Sequence, residues 1–182
     1  MMNRKKNRHE NSLPDAYPAH QLPSLYALTP ALLKSYGAQA VAIDLDNTAV
    51  LDSSYRVPAR TLEWVDSMRA AGIPVAIISN TYLHRGWFLS RKMGRLPFIA
   101  LANKPSDKPI RRMAARLGVP VSALAMVGDQ LFTDVLAANR AGAISVRTTP
   151  LAAEKRICWY FRRLREKERV FLQTYARKSS IA

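Results

Sequence analysis

The sequence predicts a three-layer α/β fold, with a Rossmann-like, mainly parallel β-sheet and helices on both of its faces. From residue 40 onward, short apolar runs alternate with amphipathic runs of helical length, which is the pattern of βαβ units. The chain has 182 residues and 48% of them are hydrophobic, which is enough for one buried core. No insertion is long enough to form a second domain, so we expect a single folded domain.

The first half of the domain supplies two helices and two strands. Thr29 and Pro30 form a helix-start signal, and Gly37 is the matching stop. A strand follows in "AVAI", and the next helix runs from Pro58 to Gly72 with its apolar residues on one stripe. The run "IPVAII" predicts the second strand, and the polar segment "SNTYLHRG" after it predicts a turn.

The second half continues the alternation. We expect a strand in "LPFIAL", a helix in "SDKPIRRMAARLG", a strand in "ALAMV", a helix in "TDVLAANRAG" and a last strand in "AISV". In a parallel sheet the carboxyl ends of the strands meet at one edge, where ligands bind. Functional residues are therefore expected directly after the strands.

Both ends of the chain are strongly basic. The formal net charge is +15, and Lys and Arg are concentrated in the first ten and the last thirty positions. Such charge suits nucleic acid, an anionic membrane surface or plain solubility. We expect residues 1–24 to form a mobile, Pro-containing basic arm, residues 25–150 the folded domain, and residues 151–182 a basic amphipathic C-terminal helix.

The composition also indicates the cellular compartment and excludes some kinds of cysteine site. Cys158 is the single cysteine, which excludes an intramolecular disulfide framework and a Cys-rich zinc site. The basic N-terminus is not followed by an apolar segment, and no run approaches the about 18 apolar residues of a membrane span. We therefore expect a cytoplasmic protein, with peripheral binding at the inner face of the membrane as a further option.

Polar side chains follow four of the predicted strands. They are Asp44 and Asp46 after the first strand, Ser79 and Asn80 after the second, Lys104 after the third and Asp129 after the fourth. Carboxylates held close together repel one another, so a cation is expected among them, and hard oxygen ligands suit Mg²⁺. The sequence thus predicts a magnesium site at the carboxyl edge of the sheet.

These residues fall within four motifs that resemble those of the haloacid dehalogenase-like (HAD) phosphatases. "DLDNT" matches the DxDxT motif, "ISN" resembles the Ser/Thr motif, and "GDQLFTD" matches the GDxxxxD motif. Lys104 fits the motif lysine by its distance to the Gly-Asp motif, although Lys108 also precedes a proline. The segment "GDQLFTDVLAANRAG" is more similar still to the capless IIIA branch of YqeG-type proteins and phosphatidylglycerophosphate phosphatases. The resemblance spans about residues 25–150 and implies a HAD-like fold with no large cap domain.

The resemblance implies hydrolysis of phosphomonoesters through an aspartyl-phosphate intermediate. Asp44 would be the nucleophile and Asp46 the general acid and base. Lys104 would be catalytic by neutralising charge on the phosphoryl oxygens. The residues expected to contact the phosphoryl group are Thr48, Ser79, Asn80 and Lys104.

The same resemblance implies a ligand set for Mg²⁺. The Asp44 carboxylate, the backbone carbonyl of Asp46 and the Asp129 carboxylate would hold the ion. Asp134 would support the metal site or orient Lys104. Plainer roles remain open for several of these residues: strand-end acids for Asp44 and Asp46, a helix cap for Ser79, a turn for Asn80, and a first-turn helix acid for Asp134.

The motifs do not identify the leaving group. A site without a cap accepts a phosphate on a bulky carrier, and the tail "EKRICWYFRRLREKERVFLQTYARK" interleaves cations with aromatic residues, as membrane-surface helices do. A helix packed on the domain through Ile157, Phe161 and Leu164 fits that tail equally well. Together with the resemblance, these features favour a lipid-borne phosphomonoester, phosphatidylglycerophosphate, which would yield phosphatidylglycerol.

Two alternatives stay open at this point. One is a phosphatase for a soluble sugar or nucleotide phosphate. The other is a basic RNA- or ribosome-associated binding protein on a phosphatase scaffold, which the clustered acids make less favourable because a binding module has no need of them. The sequence gives no indication of the oligomeric state.

Overall fold

Six parallel strands form one sheet in the computed structural model, which describes residues 15–152 and 159–179. In chain order they are β1 (His20–Leu22), β2 (Ala40–Ile43), β3 (Val75–Ile78), β4 (Phe98–Ile99), β5 (Leu124–Gly128) and β6 (Ile144–Thr148). Across the sheet the order is β1-β6-β5-β2-β3-β4, and every pairing is parallel. From β2 the chain therefore adds β3 and β4 on one side of the sheet, and then crosses to the other side of β2 to form β5 and β6.

Six α-helices connect and cover the strands of the described chain. They are α1 (Pro30–Ser35), α2 (Ala59–Ala70), α3 (Leu83–Lys92), α4 (Lys108–Leu117), α5 (Leu136–Ala141) and α6 (Trp159–Ser179). A π-helical turn at Leu131–Val135 leads into α5. Thr29 caps α1 by accepting a hydrogen bond from the Leu32 N–H at 3.2 Å, as the start signal predicts.

The two faces of the sheet are covered by different helices, because side chains alternate along each strand. Val41 and Ile43 of β2 pack in one core with residues of α2 and α3, such as Met68 and Leu89. The other face is lined by small residues, among them Ala42 of β2, and packs against α4 and α5. The predicted α/β fold with helices on both faces is confirmed.

The segment "SNTYLHRG" was predicted as a turn, and that prediction is wrong from Leu83 onward, where α3 begins. Gly86 lies inside this helix, and a Cβ there would come within 3.0 Å of the Ala100 Cβ and 3.2 Å of Phe98. The glycine lowers helix propensity but lets α3 pack closely against the chain around β4. Tertiary packing therefore decides the helix, and local propensity does not.

The predicted boundary of the N-terminal arm at residue 24 is also wrong, since residues 20–22 form β1 and pair with β6. Asn139 holds the preceding chain by donating to the carbonyls of Asp15 at 2.6 Å and Tyr17 at 2.8 Å. A three-residue edge strand is too short to show periodicity in the sequence. Residues 1–14 of the predicted arm lie outside the described residues.

The predicted third strand is shorter in the structure, and the predicted C-terminal helix is described in part. β4 covers two residues of "LPFIAL", because Leu101 has a positive φ of 49° and the chain turns away from the sheet there. The C-terminal helix is present as α6, and residues 153–158 and 180–182 of the predicted segment 151–182 lie outside the described residues. Within the described chain no helix is both long and apolar enough to cross a bilayer.

Candidate active site

The candidate site lies at the carboxyl end of β2, in the middle of the sheet. β5 pairs with one edge of β2 and β3 with the other, so the residues after these three strands are neighbours. This is also where the chain direction across the sheet reverses, the usual place for a ligand in an open α/β sheet. Asp44 follows β2, Ser79 follows β3 and Asp129 follows β5, as the sequence predicted.

Lys104 is the centre of a buried ion cluster. Its Nζ donates to Asp44 Oδ1 at 2.7 Å, to Asp134 Oδ1 at 2.5 Å and to the Ile78 carbonyl at 2.9 Å. Three acceptors satisfy the three donors of an ammonium group. Burial disfavours the charge of Lys104, but the carboxylates of Asp134 and Asp44 outweigh burial and raise the pKa of Lys104. Lys104 is therefore a permanent cation in the site.

Asp44 is buried beside this cation. Burial raises the pKa of Asp44 to about 6, and the Lys104 ammonium opposes that rise. The hydrogen bond from Lys104 Nζ is accepted by Asp44 Oδ1. A carboxylate whose charge is incompletely compensated and whose position is fixed is suited to nucleophilic attack.

The segment that carries Lys104 is fixed by Asn80. The Asn80 side chain accepts from the Lys104 backbone N–H at 2.8 Å and donates to the Lys104 carbonyl at 3.2 Å. Lys108 lies exposed at the start of α4, so the structure places Lys104, and not Lys108, among the acids. Asn80 contacts backbone, which supports its plainer role of holding a turn; its predicted role in phosphate binding stays a prediction.

A tight turn follows β2 and brings Thr48 to Asp129. Asn47 takes a positive φ of 56°, and the N–H groups of Thr48, Ala49 and Val50 all donate to the Leu45 carbonyl. The Thr48 hydroxyl then donates to Asp129 Oδ1 at 3.2 Å. Thr48 thus shapes the turn and orients an acid.

Asp129 and Asp134 complete the acidic cluster. Carboxylate oxygens of Asp44, Asp129 and Asp134 lie within 4.8 Å of one another, and all three residues are buried. Burial raises the pKa of Asp129 to about 6, with Arg165 opposing the rise, and burial also raises the pKa of Asp134. Buried, closely spaced carboxylates that are costly to ionise fit a divalent cation with a preference for oxygen, such as Mg²⁺. We call Asp44, Lys104, Asp129 and Asp134 the site floor.

Gly128 makes room for Asp134. A Cβ at Gly128 would overlap the Asp134 carboxyl group, and the Asp134 Oδ2 accepts from the Gln130 backbone N–H at 3.1 Å. Both Asp134 oxygens are therefore engaged, one by Lys104 and the other by the chain after β5. Of its two predicted roles, this geometry favours orienting Lys104.

Ser79 is buried at the carboxyl end of β3, next to β4. Its backbone N–H donates to the Ile99 carbonyl at 3.0 Å, and its hydroxyl oxygen accepts from the Thr81 N–H at 3.4 Å. A hydroxyl that accepts this bond can still donate its hydrogen to a phosphoryl oxygen. The predicted helix cap is wrong, because α3 begins at Leu83 and Tyr82 is its N-cap residue, and the predicted phosphate contact stays a prediction.

Arg85 is a site residue that the motifs did not indicate. It pairs with both oxygens of Asp46, at 2.8 and 2.7 Å, and also donates to Thr81 Oγ1 and to the Ser54 carbonyl. The Ser53 backbone N–H donates to Asp46 Oδ1 at 2.8 Å. Asp46 is thus held away from the floor, with a side chain that is 30% exposed against 9% for Asp44. The sequence signal was an arginine just after the Ser79 motif, which the prediction of a turn concealed.

The C-terminal helix supplies two more site residues that sequence reasoning missed. Arg165 of α6 pairs with Asp129 Oδ2 and donates to the Asp129 carbonyl at 2.9 Å. Buried Glu168 accepts from the Leu131 backbone N–H at 2.6 Å and from Arg165 at 2.8 Å. The Phe171 ring meets Phe132 edge to face. Of the two interpretations of the basic tail, the described part of α6 therefore supports packing on the domain, through Arg165, Glu168 and Phe171. Of the predicted packing residues, Ile157 and the side chain of Phe161 lie outside what the structure describes.

Residues 33–142, which contain every motif of the floor, match the family model described as haloacid dehalogenase-like hydrolase. The chain belongs to this family. It is 32% identical over 169 residues to "Probable phosphatase YqeG" of Bacillus subtilis, covering 93% of this chain and 94% of that protein. This member of the HAD family is therefore a phosphatase.

Two further relatives match over part of their length. "Phosphatidylglycerophosphate phosphatase 1, chloroplastic/mitochondrial" of Arabidopsis thaliana is 28% identical over 156 residues, 81% of this chain and 44% of that protein. "Phosphoglycolate phosphatase" of Neisseria meningitidis is 33% identical over 90 residues, 45% of this chain and 38% of that protein. Both relatives are longer than the region that this HAD phosphatase shares with them.

Solved structures agree on the fold. An uncharacterised protein from Listeria monocytogenes aligns with a TM-score of 0.53 at 18% identity, over 66% of this chain and 85% of that one. A cobalt-bound deoxy-D-mannose-octulosonate 8-phosphate phosphatase from Haemophilus influenzae aligns with a TM-score of 0.50 at 16% identity, over 63% of this chain and 70% of that one. The HAD-like fold is thus confirmed, and no cap domain is present in the described chain.

Proposed function

We propose that this phosphatase hydrolyses a lipid-borne phosphomonoester, phosphatidylglycerophosphate, with Mg²⁺ and through a phosphorylated Asp44. The observation that carries the chemistry is the buried cluster in which Lys104 Nζ lies 2.7 Å from Asp44 and 2.5 Å from Asp134. It joins a nucleophile, a fixed cation and further carboxylates at one point.

In the proposed first step, an Asp44 oxygen attacks phosphorus, the bond from phosphorus to the leaving oxygen breaks, and the leaving oxygen takes a proton. Lys104 holds Asp44 in place and stabilises negative charge on the phosphoryl oxygens as it redistributes. Asp134 orients Lys104, because it accepts one of the three Nζ hydrogen bonds. The Ser79 hydroxyl would donate a hydrogen bond to a phosphoryl oxygen.

Asp46 is the proposed source of that proton. Its carboxyl group is paired with Arg85 and its side chain is 30% exposed, so a leaving group that arrives from solvent would meet it. In the second step it removes a proton from the water that attacks the aspartyl-phosphate, which restores Asp44. Arg85 and the Ser53 N–H fix the carboxyl group in this position, so we assign Arg85 as a positioning residue.

The proposed Mg²⁺ ligands are the carboxylates of Asp44 and Asp129 and the Asp46 backbone carbonyl. When bound there, Mg²⁺ supplies positive charge that offsets the negative charge of the phosphoryl oxygens. Thr48 orients Asp129 for this role through its 3.2 Å hydrogen bond. Because Arg165 also engages Asp129, Mg²⁺ and α6 would share this one acid.

Two observations support a lipid carrier. No second domain covers the site in the described chain, so a phosphate on a large carrier can reach Asp44. The Arabidopsis relative over 81% of this chain is named for phosphatidylglycerophosphate. The shorter match to a phosphoglycolate phosphatase favours a small soluble substrate instead, and the two substrate classes can be separated by experiment.

The test is phosphate release from a panel of phosphomonoesters, with and without Mg²⁺. The panel contains phosphatidylglycerophosphate in detergent, phosphoglycolate, a sugar phosphate and a nucleotide. We expect the highest kcat/KM for the lipid, and no Mg²⁺-dependent release by Asp44→Asn. Faster hydrolysis of a soluble phosphate would refute the lipid substrate, and turnover retained by Asp44→Asn would refute the nucleophile. Salt-sensitive RNA binding without any turnover would favour the binding-module alternative.

A further inference from the structure

Large hydrophobic side chains remain exposed in the segments that follow the strands of the active site. They include Leu51, Tyr55, Tyr82, Leu83, Trp87 and Leu101, which we call the apolar rim. All six lie in the segments that follow β2, β3 and β4, or in the first two turns of α3. Among the residues whose side-chain exposure is described, which on α6 are 163–174, the remaining large hydrophobic residue that is this exposed is Val170. Apolar exposure is thus concentrated at the edge of the sheet where Asp44 and Asp46 lie.

The rim is connected to the catalytic machinery by direct contacts. The Tyr55 hydroxyl is hydrogen bonded to His84 Nε2 at 2.8 Å, and Tyr82 stacks on the same imidazole with ring centroids 6.0 Å apart. The guanidinium of Arg85 lies 5.9 Å from the Tyr55 ring centroid. Since Arg85 also holds Asp46, the rim borders the proposed general acid directly.

The apolar rim is also basic. There is no Asp or Glu between Asp66 and Asp107, the stretch that contains α3 and β4. Arg91 lies 5.0 Å over the ring of Trp87, which is itself 52% exposed. Exposed Trp and Tyr combined with cations are typical of surfaces that enter the headgroup region of an anionic bilayer.

We infer that the apolar rim docks on the surface of an anionic phospholipid bilayer and places the site over the headgroups. The inference rests on the proposed lipid substrate, whose phosphate must reach Asp44 while its acyl chains stay in the bilayer. A surface beside the site meets this need because docking and access then occur at one face.

This inference adds the rim as an expected membrane contact, and the described side chains of α6 support packing of that helix on the domain. Arg165, Glu168 and Phe171 of α6 contact the domain. On the described outer face of α6, Glu166 and Arg169 pair with each other and Val170 is the exposed large apolar residue. Between residues 163 and 174, where the side chains of α6 are described, that face therefore offers little apolar surface to a bilayer.

The test compares a rim variant with a matched control outside the rim. The rim variant is Leu83→Ser with Trp87→Ser, two exposed positions one helical turn apart, and the control is Val170→Ser, whose residue is 50% exposed. Binding is measured by co-sedimentation with phosphatidylcholine vesicles that contain or lack phosphatidylglycerol. Hydrolysis of p-nitrophenyl phosphate, which is dissolved in water, reports whether each variant is folded.

We expect the wild type and Val170→Ser to bind the anionic vesicles equally. The rim variant should bind them with an affinity at least about tenfold lower, because two interfacial side chains are lost. The inference is overturned if the rim variant binds like the wild type, or if the wild type binds neither kind of vesicle. It is also overturned if the rim substitutions only convert a dimer to a monomer in sedimentation velocity, which would make a second copy the occupant.

A separate assay keeps this result apart from the proposed function. Short-chain phosphatidylglycerophosphate below its critical micelle concentration presents no surface, so the rim variant should hydrolyse it as the wild type does. If the wild type does not hydrolyse it but rim-dependent vesicle binding persists, the substrate is wrong and the docking surface stands. If hydrolysis occurs without rim-dependent binding, the docking surface is wrong and the substrate stands.

Discussion

The site floor and the apolar rim lie at the same edge of the sheet but obey opposite physical rules. The floor is charged and buried, with Lys104 at 6% and Asp129 at 0% exposure, so almost every polar atom has a partner. The rim is apolar and exposed, with Tyr82 at 71%. A buried charged cluster tolerates almost no change, whereas an exposed apolar surface tolerates substitution without unfolding. The floor therefore sets the reaction, and the rim is free to set access to the substrate.

The largest effect is expected for Asp44→Asn in the floor. An amide is a poor nucleophile, so kcat should fall by about 10⁴-fold or more. Lys104 keeps Asp134 and the Ile78 carbonyl as partners, so the variant should fold. Phosphate release and circular dichroism check both statements, and kcat within tenfold of the wild type would contradict the assignment.

Gly128→Ala tests how closely the floor is packed. The new Cβ would overlap the Asp134 carboxyl group, so Asp134 must move and Lys104 loses an acceptor. We expect the free energy of unfolding to fall by about 1–3 kcal/mol and kcat to fall by about 100-fold. Gly37→Ala is the control: its φ of +80° makes the added side chain strained and lowers stability, but no atom lies within 4 Å of the added Cβ, so its activity should be kept. Equal loss of activity in both variants would mean that reduced stability, and not displacement of Asp134, is responsible.

Arg85→Gln tests the boundary between floor and rim. Without its two hydrogen bonds to Asp46, protonation of the leaving group should slow, and kcat should fall by about 10- to 100-fold for an alkyl phosphate. An aryl phosphate needs less proton assistance, so its kcat should fall less. Arg91→Gln on the same helix should leave both kcat values unchanged. A uniform loss for both substrates would indicate a structural role for Arg85.

The pH dependence of stability should distinguish the floor from the exposed acids in the absence of metal. The pKa of Asp129 is about 6 in the folded chain and near the ordinary 3.8 in the unfolded one, so the folded state binds more protons between these values. Its contribution to the free energy of unfolding is therefore lost as pH rises from about 4 to about 6, by about 1–3 kcal/mol. Urea unfolding in EDTA should show this loss in the wild type and a smaller one in Asp129→Asn. Identical pH profiles for the two proteins would contradict the raised pKa.

The smallest effect is expected at Arg165, where α6 meets the floor. Because Arg165 engages the acid proposed to bind Mg²⁺, Arg165→Gln should tighten Mg²⁺ binding by about three- to tenfold. Arg169→Gln, which removes an exposed pair with Glu166 on the same helix, is the matched control. Calorimetric titration with Mg²⁺ measures both variants. Weaker binding by Arg165→Gln would show that the arginine supports the metal site and does not compete for it.

Much of the floor could be predicted from the sequence because its residues directly follow strands. Asp44, Ser79 and Asp129 come after short apolar runs, and parallel strands must bring such positions to one edge. Lys104 required the resemblance as well, since "KP" occurs twice in the chain. The structure brings all four residues to the predicted edge, although their catalytic roles remain to be tested.

Other features were decided by tertiary structure alone. Arg85 reaches Asp46 across 39 positions and Arg165 reaches Asp129 across 36, and neither contact has a local pattern. β1 was missed because three residues at a sheet edge are stabilised by their neighbour β6 and not by their own periodicity. The rim exists only because three separate loops meet beside the site.

The sequence by itself determined the α/β fold, the order of the motifs and the chemical types gathered at the carboxyl edge. It did so because periodicity and strand ends are local properties of the chain. Tertiary structure alone decided which cations pair with which acids, how α6 closes on Asp129, and where apolar side chains stay exposed. Those outcomes depend on how helices dock on the sheet, which is set by packing between residues far apart in sequence.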